Sequence, residues 1–267
     1  MFVNRLFTAC AVLALSGLSL ASCQKKEEVL TNEQASEEVL TQIRALGFST
    51  ADVQKTQDGY LVEGDIMLSA ADLTGSSNAK LLRVGEAEQY RTTNLVNAGS
   101  GRVIKISISS RLPASYVAGL DEAINRYNAE NLLLTFQRVS SGADIALVSG
   151  NGRYLASAGF PTSAGAPHNE VKINAQAIGS NPSASYLATI LAHEIGHCIG
   201  FRHTDYTDRS YSCGGATSNE GASTVGAIYI PGTAVGPDPN SWMLACIGSG
   251  QSRPFNANDK TALNYLY

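Results

Sequence analysis

The chain has 267 residues, a formal charge of −4 and no clustering of its lysines and arginines. That length suits one catalytic domain plus a smaller region with a sizeable core. The absence of a basic stripe speaks against a nucleic-acid partner.

In chain order, Arg5 and the apolar run "LFTACAVLALSGLSL" read as an export signal over residues 1–22, too short to span a bilayer. Leu20-Ala21-Ser22-Cys23 resembles a bacterial lipobox, which implies cleavage before Cys23 and a lipid on its thiol. Residues 23–38, polar and charged, form a tether. "QKKEE" resembles the surface-sorting signal of some bacterial lipoproteins. The expectation is an exported protein anchored at the outer membrane or cell surface.

Residues 39–100 form an upstream region. Val39, Ile43 and Leu46 have helical spacing that stops at Gly47, and "GYLVEGDIMLS" reads as a strand. From 101 to 267 the pattern is that of a mixed α+β domain. "RVIKISIS" alternates as a half-buried strand, and a helix follows Pro113 with Val117, Leu120, Ile124 and Tyr127 on one face. "LLLTFQRV", "ADIALVS" (central), "RYLASAGFP" (an edge) and "NEVKIN" read as strands. A strong helix then runs from a cap at Asn181 or Ser183 to Gly200. Glycine- and proline-rich loop and a short terminal helix, "NANDKTALNYLY", complete the chain.

Beyond Cys10 and Cys23 stand Cys198, Cys213 and Cys246. An odd number in an oxidising compartment suggests one disulfide and one free thiol. Cys198 lies on a packing helix, so the favoured pair is Cys213–Cys246, although the sequence does not fix it.

Three of the four histidines fall in "HEIGHCIGFRH". His193 and His197 are four apart on a helix, about 40° apart on one face. Gly200 permits a sharp turn that returns His203 to the same ion. Three imidazoles leave one open position, the arrangement of one catalytic Zn²⁺. Glu194 lies beside them, within reach of a water on that metal. His168, in a polar loop, reads as a surface residue.

The stretch fits H-E-x-x-H-x-x-G-x-x-H and resembles the HEIGH-type bacterial metallopeptidases of the metzincin clan, with similarity to astacin. That resemblance implies a zincin fold: a mixed twisted sheet with an active-site helix and a methionine turn, preceded by a small prosegment. It implies zinc on His193, His197 and His203, with Glu194 as general base toward the zinc-bound water. Met243 is the candidate for the methionine turn. Leu155, Ala156, Ser157, Ala158 and Gly159 would form the edge that pairs with an extended substrate. Astacins carry a tyrosine where Ala245 stands here, which leaves Tyr206 or Tyr211 as oxyanion candidates. Asp205 would either orient the site or cap a loop. Val62-Glu63-Gly64-Asp65 resembles the astacin prosegment stretch that places an aspartate on zinc, with Val62 replacing an aromatic residue. Asp65 is thus either a latency ligand or the tip of a plain hairpin. The implied activity is a zinc endopeptidase acting on extracellular proteins or peptides, released by cleavage between about Asp72 and Arg102. The alternative is a catalytically silent, metal-containing surface-binding lipoprotein. Oligomeric state is not legible.

Overall fold

The computed structural model describes residues 34–74, 89–220 and 226–267. The signal, Cys23 and most of the tether lie outside these residues. Among those described, no helix is long and apolar enough to cross a membrane.

The upstream part opens with α1 (Glu37–Ala45), capped by Ser36, whose side chain accepts from the Val39 N–H. β1 (Gln54–Thr56), β2 (Gly59–Val62) and β3 (Ile66–Leu68) form an antiparallel sheet, and the short α2 (Ala70–Thr74) follows. Ile43, Phe48, Val62, Ile66 and Leu68 make its core, against which Phe160 packs. The stretch read as one strand is a hairpin, because Glu63 and Gly64 adopt φ of 54° and 88° and reverse the chain between Val62 and its partner Ile66. Asp65 closes that loop.

β4 (Tyr90–Arg91) comes next, then β5 (Arg102–Ile108), α3 (Ser115–Asn128), β6 (Leu134–Arg138), β7 (Ile145–Ser149), β8 (Ala156–Ser157) and β9 (Glu170–Ile173). The main sheet has the order β6-β5-β7-β9-β8, parallel except for β8. β7 is therefore central and β8 is an edge. Alternation in β5 buries Ile104 and Ile106 and leaves Val103 and Lys105 outward.

A one-turn helix, α4 (Ala175–Ile178), leads to α5 (Ala184–Ile199). Ser183 caps α5, and all its residues from Tyr186 onward are buried. It packs on α3, where the Tyr127 hydroxyl donates to the Ala192 carbonyl at 2.7 Å. Below lie α6 (Ser210–Cys213), β10 (Ile228–Tyr229) and α7 (Ala257–Leu266), the last fixed by a capping box of Asn256 and Asp259. Tyr127, Phe136, Phe255, Trp242 and Phe201 form a chain of ring contacts under α5.

β4 is stitched into this lower half. It pairs with β10, the Arg202 N–H donates to the Tyr90 carbonyl, and buried Gln89 donates to Ser241 and Asp259.

Candidate metal centre

α5 carries His193 and His197 one turn apart, with Nε2 atoms 3.0 Å from each other. Gly200 ends the helix with φ 113°, and the Phe201 N–H turns back to the Gly196 carbonyl at 2.9 Å. That reversal places His203 Nε2 at 3.2 Å from His197 Nε2. Each ring is held from behind through Nδ1: His193 to the Trp242 carbonyl at 2.9 Å, His197 to the Phe201 carbonyl at 2.9 Å, and His203 to Glu220 at 2.8 Å. These acceptors fix the proton on Nδ1 and leave three Nε2 lone pairs converging. Lone pairs this close repel unless a cation stands among them, so the donor set fits a metal ion.

Asp65 completes the cluster. Its Oδ2 lies 3.2 Å from His203 Nε2 and 3.6 Å from His193 Nε2, and the four residues form a buried group able to hold one ion. Its Oδ1 and the Oε2 of Glu194 are buried without a hydrogen-bond partner. Burial alone would raise Asp65, but His203, His193 and His197 outweigh it and hold its carboxyl well below the usual range. Burial, then the Asp65 charge, pushes Glu194 well above its usual range. Burial, followed by the neighbouring imidazoles, pushes His197 down. Burial also acts against a charge on His203, but Asp65 and Glu220 prevail and raise it.

A cavity of about 380 Å³ opens beside the cluster, lined by Asp65, Tyr154, Leu155, His193, Glu194 and Leu244 among others. Of the expected edge, Ala156 and Ser157 form β8, and Ala158 takes up chain on its outer side. The Ala158 N–H donates to the Asp65 carbonyl and the Met67 N–H donates to the Ala158 carbonyl, both at 2.9 Å. The upstream segment therefore lies along this edge in parallel. Gly159 is packed by the His168 ring, so His168 is half-buried rather than on the surface; burial lowers its basicity.

Met243 is fully buried below α5. A Cβ on Gly196 would come within 2.7 Å of its Sδ, so the bare glycine admits the methionine turn. The Asp205 carboxylate is hydrogen-bonded elsewhere than to the histidines: it accepts from the Ala245 N–H at 2.9 Å and the Ser212 hydroxyl at 2.5 Å, tying that turn to α6. Cys213 and Cys246 are joined as a disulfide nearby, and Cys198 is a buried free thiol. Tyr206 packs edge-on against Tyr90 and Tyr211 is largely exposed; neither lines the cavity, whereas Tyr154 does.

Three further residues had no sequence signal: Glu63, Arg202 and Glu220. Their side chains are fully buried, with Arg202 Nη2 at 3.1 Å from Glu63 and 3.7 Å from Glu220. Arg202 also lies over the rings of Phe48 and Phe160.

Three convergent imidazoles, an acid beside them on the same helix and a methionine turn below define a metallohydrolase centre of the metzincin type. The chain belongs to the dual-action HEIGH metallo-peptidase family, whose model matches residues 60–267, and it is a zinc metallopeptidase. The match begins within β2 and so includes Asp65. No curated protein matches the chain. Among solved structures it is similar to high choriolytic enzyme 1, a hatching-enzyme zinc-protease from the medaka fish Oryzias latipes, at 18% identity over 65% of this chain and 92% of that one, TM-score 0.37. It is also similar to myroilysin, at 15% identity over 63% of this chain and 81% of that one, TM-score 0.42.

Proposed function

We propose that the protein is a zinc endopeptidase held latent by its own upstream segment. The observation that carries this reading is Asp65, which faces His203 and His193 on the side where a substrate must approach. The same segment uses the backbone of Ala158, so it blocks both the reacting centre and the edge that would align a peptide by β-augmentation.

His193, His197 and His203 would hold the ion. Zinc, when bound, acidifies water and polarises a scissile carbonyl. Glu194 takes a proton from the attacking water and delivers it to the leaving amine. Asp65 must leave first, since it occupies the same face. The ties of Gln89 to Thr92 with the lower half support a catalytic body that begins by Gln89 rather than at 101, with activating cleavage upstream of Gln89. The substrates are proteins or peptides outside the cell, reached by export and lipid anchoring at Cys23; loss of labelled palmitate in Cys23→Ala checks the anchor.

The test is hydrolysis of casein and of fluorogenic peptides by the processed chain. Activity should vanish on chelation, return with zinc, and be absent in Glu194→Ala. A processed, zinc-loaded chain that cleaves nothing favours the silent metal-containing binding lipoprotein instead.

A further inference from the structure

Two of the three histidines lean on backbone carbonyls, while His203 leans on a carboxylate. Glu220 approaches His203 Nδ1 with both oxygens, at 2.8 and 3.1 Å, and no part of its side chain meets solvent. Around it stand two cations, Arg202 Nη2 at 3.7 Å and Arg209 Nη1 at 3.5 Å. A buried carboxylate with this company stays charged and fixed in place. A charged acceptor makes an imidazole a better donor to a metal than a carbonyl does, and it sets the plane of the ring. His203 has the greatest need of such support. His193 and His197 are placed by a helix, but His203 sits beyond a glycine turn in loop.

We propose that Glu220 is the positioning residue of the third zinc ligand, acting through His203 Nδ1. This rests on the reading of His203 as a ligand. Glu63 touches the same Arg202 but belongs to the upstream segment, where its carboxylate accepts from Arg202 and from the Ser49 N–H. Departure of that segment therefore leaves the contact between Glu220 and His203 in place.

The experiment is competition for zinc between the full chain and a chromophoric chelator. Glu220→Ala should raise the zinc dissociation constant roughly 10–100-fold. With both variants made on an Asp65→Ala background, so that docking of the upstream segment supplies no ligand, Glu63→Gln, which disturbs the same buried network without a hydrogen bond to His203, should leave it unchanged. An unchanged constant in Glu220→Ala overturns the proposal, and so does an equal loss in Glu63→Gln, which would mark a general packing effect. Should Glu220→Ala fail to fold, the His203 Nδ1 proton resonance in Glu220→Gln decides. It should move upfield from the carboxylate-bonded position of the parent, and an unmoved resonance overturns the proposal. A chain whose zinc affinity follows Glu220 but which cleaves no peptide overturns the peptidase reading alone.

Discussion

Replacing Asp65 by alanine separates the contact at the metal face from the other ties of the upstream segment. Asp65 contributes contacts to His203 and His193 from a charged, buried carboxyl. Mediated by the metal ion or by a proton on Nε2, charge-assisted contacts of this kind stabilise by about 1.5–3 kcal/mol net. At 1.4 kcal/mol per tenfold, their loss raises the undocked population roughly 10–100-fold. Two backbone bonds to Ala158 and the buried Glu63–Arg202 pair remain. Full-length Asp65→Ala should thus hydrolyse a fluorogenic peptide about 10–100-fold faster than the parent, yet slower than the processed chain. Adding Glu63→Gln should close much of that gap, because breaking one side of a buried pair costs about 3–5 kcal/mol. Initial rates in zinc-containing buffer are the assay. If Asp65→Ala is no faster than the parent while the processed chain is active, the aspartate does not maintain latency.

Gly196→Ala would drive a methyl to 2.7 Å from Met243 Sδ and 3.2 Å from Trp242 Nε1. Overpacking of about 1–3 kcal/mol should outweigh a helix-propensity gain of about 1 kcal/mol, so urea midpoints fall; a rise would mean the methionine turn yields freely. Loss of the Cys213–Cys246 bond, with a sequence separation of 33, should cost about 3–4 kcal/mol in Cys246→Ser, read by urea unfolding against the parent with and without reductant. Burial pushes Asp259 up to about 7 despite donors from Asn256, Ser241 and Trp242. Its folded value lies above the unfolded one, so its stabilisation is full below about pH 4 and lost as pH rises toward 7. The slope is at most about 1.4 kcal/mol per pH unit, and unfolding of Asp259→Asn across pH 4–7 should lack it.

The zinc-binding sequence was legible because it is local. Spacing of four on a helix, then a glycine reversal, puts His193, His197 and His203 together without help from distant chain. The start of α5 was legible for the same reason, as a cap at Asn181 or Ser183, and Ser183 is the one that caps it. Arg202 meets Glu220 and Glu63 across separations of 18 and 139 residues, and no periodicity encodes such a meeting. β4 and β10 have two residues each, below what alternation can reveal. The hairpin at Asp65 was legible only as one of two readings, because apolar residues continue on both sides of Glu63-Gly64. His168 sits in polar sequence, and its partial burial depends on the bare Gly159 opposite.

The segment's three kinds of contact also explain how a cut upstream of Gln89 can open the site without altering any of them. While the chain is intact, docking is intramolecular, at an effective concentration of the order of millimolar. After cleavage the segment docks as a separate molecule, at whatever concentration the protein has. At about 1 μM that difference is roughly a thousandfold, or about 4 kcal/mol, comparable to the whole contribution of Asp65 and a backbone bond. Contacts strong enough to hold the intact chain shut then release it on dilution. Cleaved enzyme kept concentrated should therefore remain partly inhibited and gain specific activity as it is diluted, while the uncleaved chain should not. Specific activity independent of dilution from the moment of cleavage would show that the cut itself dismantles the docked segment.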